Sequence, residues 1–147
     1  MSEKHYDPRM HSAEHILNQT MVRMFGCGRS FNNHIERKKS KCDYRINRAL
    51  TSIEVKSIED TVNGIINLNL PVTIDFVSKE EASTFLDLSK LPPDTPEEIR
   101  VVKIENYDSC ACIGPHVSNT SEIGTFKIIS SDYIDDFLRI RFKLENS

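Results

Sequence analysis

The stretch FLRIRFKL, Phe137 to Leu144, carries the strictest pattern in the chain. Leu138, Ile140, Phe142 and Leu144 alternate with Arg139, Arg141 and Lys143. Side chains of a strand point alternately to opposite faces, so this pattern predicts a strand with one buried and one wet face. Such a strand needs sheet partners and a layer covering its apolar side. VTIDFV, with Val72, Ile74 and Phe76 on one face, IRVVKIE from Ile99 and GTFKII from Gly124 supply further strands. SFNNHIERKKSKCDYRI, Ser30 to Ile46, predicts a hairpin turning near Lys38 and Lys39.

Two longer helices are predicted as the covering layer. Ser12 to Phe25 places Ile16, Met21, Met24 and Phe25 on a stripe, and Gly26 and Gly28 end it. Thr51 caps the second, with Glu54 at the capping-box position and Ile53, Ile58, Val62, Ile65 and Ile66 as its stripe. Ser78 and Glu81 frame a short helix in SKEEASTF. LSKLPPDTPEE, with Pro92, Pro93 and Pro96, is loop, and NYDSCACIGPHVSNTSEIG is a long irregular stretch. With 147 residues, these elements predict one α+β domain over 1–147. Its mainly antiparallel sheet packs one face against both longer helices.

Charge and composition narrow the function. The formal net charge of -3 does not advertise a nucleic-acid binder. ERKKSKCDYRINR nevertheless concentrates six basic residues against two acidic ones, a local surface suited to phosphates. No run is apolar enough for a membrane span, and the N-terminus lacks a signal core, so a cytoplasmic protein is expected. The four cysteines, Cys27, Cys42, Cys110 and Cys112, then point to burial or metal binding rather than a disulfide framework.

The chemistry-bearing residues fall in two short stretches. In MHSAEHIL, His11 and His15 are four apart and share one helix face. In CACIGPH, Cys112 and His116 are also four apart, with Gly114 and Pro115 between them. Four N/S donors in two pairs form a plausible zinc constellation. HSAEH also fits an inverted zincin pattern with Glu14 as general base. That assignment leaves Cys112 and His116 unexplained, and Glu14 is otherwise a helix-surface acid. Cys110 shares a face with Cys112 if the backbone there is extended, and diverges from it in a turn.

MHSAEHIL together with CIGPHVSNTSEIGTFKI resembles the editing domain shared by alanyl- and threonyl-tRNA synthetases, including the free-standing AlaX proteins. ALTSIEVKSIEDTVNGIINLNLPV resembles that family's central helix and following strand. The resemblance implies one zinc held by His11, His15, Cys112 and His116, the same residues forming the catalytic site. It implies a trans-acting deacylase for mischarged tRNA, serine on alanine tRNA first. GPHVSNT and FKI are equally similar to the threonyl version, which leaves open metal-free editing of serine on threonine tRNA. A non-catalytic tRNA-binding module is the further alternative. The threonyl version carries an acid two residues before its cysteine, where this chain has Cys110; the nearest acid is Asp108.

Within this resemblance Ser30, with Asn32 and Asn33 as neighbours, is placed to bond the serine hydroxyl. Gly124 would allow close approach of the tRNA terminus. Arg37, Lys38, Lys39, Lys41, Arg139 and Arg141 would hold acceptor-arm phosphates. His5 and His34 are expected to be exposed. Four protein ligands would close a tetrahedral site, so a ligand must yield, the ion must gain a fifth partner, or it chiefly anchors substrate.

Overall fold

Each element begins where its sequence supplies a cap or a turn. The computed structural model describes residues 7–84, 97–112 and 114–145. Helix α1 spans Pro8–Phe25, four residues earlier than the hydrophobic stripe suggests. The Asp7 side chain accepts the Arg9 and Met10 amides, and Pro8 needs no amide partner in the first turn. Gly26 closes the helix in the left-handed conformation, φ 67°. Helix α2, Ser52–Ile66, starts with the expected capping box of Thr51 and Glu54. Helix α3 is the single turn Lys79–Ala82, capped by Ser78.

The strands are β1 Asn32–His34, β2 Ser40–Tyr44, β3 Val72–Ser78, β4 Glu98–Ile104, β5 Asp108–Ala111, β6 Thr125–Ile134 and β7 Phe137–Glu145. They form two sheets, not one: β1-β2-β7-β6 and β3-β4-β5, all neighbours antiparallel. The α+β class with an antiparallel sheet holds. The irregular stretch after Asn106 is not wholly irregular, because β5 lies within it. Asn106 takes a left-handed conformation, φ 58°, in the tight β4–β5 turn, where the Tyr107 amide bonds the Ile104 carbonyl at 2.9 Å. The proline-rich connection and His5 lie outside the described residues.

The two helices do not cover one face in the same way. Residues of α1 hydrogen-bond to both sheets. Asn18 Oδ1 accepts from the Tyr44 hydroxyl of β2 at 2.8 Å, while Gln19 donates to Asp108 of β5 at 2.9 Å. Every residue from Met10 to Leu17 is buried, so this half of the helix has no wet side. Helix α2 lies along β6 and completes its outer edge. Asn63 both donates to the Phe126 carbonyl, at 2.9 Å, and accepts its amide, at 2.8 Å. Glu59 accepts the Ile128 amide at 2.8 Å. Ile129 is the extra residue of a bulge beside this segment.

The main core joins α1, α2 and both sheets, with Leu138, Ile140 and Phe142 of β7 fully buried and Phe126 against Phe142 at 5.1 Å between ring centres. Some expected apolar positions are exposed instead. Met24, Ile53, Ile74 and Phe76 face solvent, because among the described residues no layer covers that part of either helix or of β3. Among the described residues no helix is long and apolar enough to cross a membrane.

Phe142→Ala should lower unfolding free energy by about 3–5 kcal/mol. Ile74→Ala, on the exposed face, should change it by less than about 0.5 kcal/mol. Urea denaturation of the two variants beside the wild type measures both.

Candidate metal centre

The two halves of the constellation meet. Helix α1 carries His11 and His15 one turn apart, and the loop after β5 brings Cys112 and His116 over them. One ligand atom from each of the four lies within 4.8 Å of all the others. Arg100 of β4 holds the loop in place. Its guanidinium donates to the carbonyls of Cys112, at 2.8 Å, and Gly114, at 2.9 Å, while its own carbonyl accepts the Cys112 amide at 3.1 Å. Gly114 is required by close approach: a Cβ there would collide with the His11 ring.

Partners outside the cluster orient each imidazole. His11 Nδ1 lies 3.2 Å from the Pro115 carbonyl, an acceptor that places the proton on Nδ1 and leaves Nε2 facing Cys112 Sγ at 3.3 Å. His116 Nδ1 meets Ser12 Oγ at 2.9 Å, and its Nε2 is buried with no protein partner among the described residues. His15 Nδ1 faces Asp108 Oδ2 at 3.5 Å, long for a hydrogen bond. Asp108 is itself fixed by Arg29, at 2.7 and 3.3 Å, and by Gln19. Three imidazoles turned inward on Nε2, an orphaned nitrogen and a thiolate are a donor set that fits a soft or borderline divalent ion. The carboxylate behind His15 is the support such ligands usually have.

In the metal-free cluster the electrostatics divide: they favour a Cys112 thiolate and a neutral His116, but a protonated His15, whose proton a bound ion would displace. Burial alone would raise the Cys112 thiol, but the three imidazoles gathered around it, His11 at 3.3 Å and a charged His15 among them, bring it down to about 3. Burial opposes protonation of His15, yet Asp108, Cys112 and the Glu14 charge push it up to about 9. Burial lowers His116. Arg29 and His15 hold Asp108 well below the usual carboxylate range against the effect of its burial. Cys110 is pushed up to about 11 by burial, so the neighbouring thiol is not a second thiolate. All four cysteines are unbridged.

Glu14 is not the surface acid that helix periodicity suggests. It is buried, with Oε2 accepting Asn18 Nδ2 at 2.6 Å and Asn33 Nδ2 at 3.1 Å. Asn33 of β1, rather than Asn32, therefore faces the cluster. Asn32 points the other way, donating to Asp43 at 3.2 Å. Ser30 lies close by, its hydroxyl accepting from Asn33 at 3.2 Å and its amide bonded to Asn18. Gly124 stands elsewhere, packed against Arg9 and the Glu145 carbonyl.

The basic residues divide. Arg37 is exposed at the hairpin turn, 3.8 Å from Asp7 at the start of α1, with Lys38 and Lys39 exposed beside it. Lys41, Arg139 and Arg141 occupy the face of the sheet opposite the core, in register with His34 and Asp43. Arg139 is committed to Asp43 in a two-pronged pair at 2.8 and 3.0 Å, and Arg141 pairs with Asp132. A groove of about 260 Å³ is lined by His34, Glu36, Lys39, Ser40, Lys41 and Arg141. A larger cavity, about 500 Å³, follows the β4–β5 turn and reaches the cluster only through Asp108.

Sequence reasoning missed Ser12, Arg29 and Arg100, and misplaced Glu14. No local signal marks Glu14 as buried, and nothing local marks either arginine.

The metal-free protein should show a distinctive pH dependence. The depressed Cys112 contributes stability that is full above its ordinary value of 9.0 and lost towards about pH 3. The raised His15 contributes stability that is full below 6.5 and lost as pH rises through about 9. The two changes cancel between 6.5 and 9, so stability climbs with pH up to about 6.5 and then levels. Urea titrations of chelator-treated protein should show this limb, and Cys112→Ser should flatten it.

Comparison with known proteins shows what the chain is similar to. Residues 99–139 match the threonyl and alanyl tRNA synthetase second additional domain. The chain is 32% identical over 132 residues to the alanine–tRNA ligase of Fervidobacterium nodosum, covering 89% of this chain and 15% of that protein. Alanine–tRNA ligases of Petrotoga mobilis and Methanococcus vannielii are each 31% identical, over 88% and 87% of this chain and 15% of each relative. The chain thus spans about 15% of the length of the curated relatives it matches. Most of the chain is thus similar to one segment of alanine–tRNA ligases, and residues 99–139 match the threonyl and alanyl tRNA synthetase second additional domain.

Proposed function

We propose that the chain is a trans-acting aminoacyl-tRNA deacylase that hydrolyses the ester of mischarged tRNA, with serine on alanine tRNA as the preferred substrate. The observation that carries this reading is the convergence of His11, His15, Cys112 and His116 in a chain related to alanine–tRNA ligases. Those four side chains would hold one zinc ion. Bound zinc supplies Lewis-acid polarisation and an acidified water. An alanine activation pocket discriminates only about a hundredfold against an added hydroxyl, so a second test of the side chain is needed.

The protein's own groups supply that second test. Ser30 and Asn33, linked to each other at 3.2 Å beside Glu14, present polar atoms for the serine hydroxyl. Alanine would leave them unpaired. Arg37, Lys38 and Lys39, at the hairpin turn near the start of α1, are positioned to meet phosphates of the acceptor arm. Lys41, Arg139 and Arg141 would meet a second stretch of backbone on the outer sheet face, Arg139 only by sharing Asp43. The proposed compartment is the cytoplasm, where tRNA is charged.

Protein purified without added zinc should contain about one zinc per chain, lost when the four ligands are replaced by alanine. Gly114→Ala, which drives a methyl into the His11 ring, should weaken zinc affinity by roughly 10–100-fold in competition with a chelating dye. Deacylation should be faster on Ser-tRNA(Ala) than on Ser-tRNA(Thr). Cys112→Ala with His116→Ala should slow it by about a hundredfold or more. Hydrolysis of both tRNAs at equal rates by that double variant and the wild type would remove the cluster from the mechanism.

A further inference from the structure

Glu14 has no assigned role, yet its placement is specific. Both hydrogen bonds to its carboxylate among the described residues reach Oε2, from Asn18 and Asn33. Oε1 is left 3.9 Å from His11 Nε2 and 3.8 Å from His15 Nε2. Those are the nitrogens that face the centre of the cluster. Asn18 is in turn fixed by the Tyr44 hydroxyl at 2.8 Å and the Ser30 amide at 3.0 Å. The free oxygen is thus aimed, by a rigid amide network, at the space between the two ligating imidazoles.

The remaining bases of the site are occupied. The Nδ1 atoms of His11, His116 and His15 face Pro115, Ser12 and Asp108, and their Nε2 atoms face the cluster centre. With an ion there, no imidazole lone pair is left to take a proton. Asp108 is committed to Arg29 and Gln19. A divalent ion with three neutral imidazoles and one thiolate keeps one positive charge, which a nearby carboxylate balances. Hydrolysis of an ester nevertheless requires a group that accepts a proton from water.

Resting on the deacylase reading, we infer that Glu14 is the general base and acid of the reaction, a catalytic residue acting through Oε1. The water oxygen bonds to the ester carbonyl carbon while its proton passes to Glu14. The bond from that carbon to the ribose oxygen then breaks, and Glu14 returns the proton to the ribose oxygen. The products are the free amino acid and an uncharged tRNA end, with no further reactant needed. The polar network of Asn18 and Asn33 sets the carboxylate angle.

The test compares wild type, Glu14→Gln and Glu14→Asp for bound zinc and for single-turnover hydrolysis of seryl-tRNA and of the corresponding α-hydroxy acyl ester, which lacks the amino group. Glu14→Gln should keep about one zinc per chain and lose about 10²–10⁴-fold in rate on both esters. Glu14→Asp, with the carboxylate set back by one carbon, should recover part of that loss at the same zinc content. A Glu14→Gln rate within about threefold of wild type would overturn the assignment. So would a loss confined to the amino ester, which would make Glu14 the ammonium site, or a loss of zinc, which would make it a ligand. If Glu14→Gln does not fold, Glu14→Asp decides alone: folded, zinc-loaded and fully active or fully inactive, it refutes the base role. Wild type inactive on both esters would refute the deacylase reading itself, and this inference with it.

Discussion

Helix α1 buries His11, Ser12, Glu14, His15, Asn18 and Thr20, and a buried polar group without a partner costs about 1–3 kcal/mol. Inside the helix Thr20 bonds the Ile16 carbonyl and Asn18 bonds Glu14, and the rest of the demand is turned outward. It is met from the loop at Pro115–Val117, from Asp108 and Tyr107 beside β5, from Asn33 and from Tyr44. These partners belong to both sheets. The polar face of one helix therefore fixes how the two sheets and the loop sit relative to each other. Displacing any of them by a few ångströms leaves several donors or acceptors unmet at once.

The same demand produces two buried carboxylates with opposite surroundings. Asp108 is gripped by a guanidinium and an amide and supports His15 from behind. Glu14, among the described residues, is hydrogen-bonded on one oxygen and keeps the other towards the cluster. A carboxylate whose bonds are all spoken for can orient; one with an oxygen to spare can react. The division follows from position, since Asp108 comes from a strand that approaches the outer side of His15 and Glu14 from the helical turn that carries both histidines.

What was legible in the sequence was local. The capping box at Thr51, the stop at Gly26 and the alternation in β7 depend on residues within a few positions of each other, and all three stand in the structure. The pairing of His11 and His15 with Cys112 and His116 was legible because two short spacings suggested one donor set. The failures are tertiary. Periodicity implies a wet side for α1, but a helix inserted between two sheets has none over Met10 to Leu17. Periodicity also implies a dry side for β3, but Ile74 and Phe76 are exposed, with no described element over them. Arg29 and Arg100 act on partners far along the chain, and no local pattern encodes that.

The contact of α2 with β6 has a bearing on how the molecule meets others of its kind. An edge strand of ten residues normally offers a ladder of free amides and carbonyls to any passing chain. Here Asn63 answers the Phe126 amide and carbonyl as a neighbouring strand would, and Glu59 takes the next outward amide. The Ile129 bulge then bends the strand away from a flat template. Two side chains of a helix thus imitate the missing strand, and the sheet ends where they stand. At Phe126 and Ile128 this edge is closed by the side chains of α2 and not by another strand.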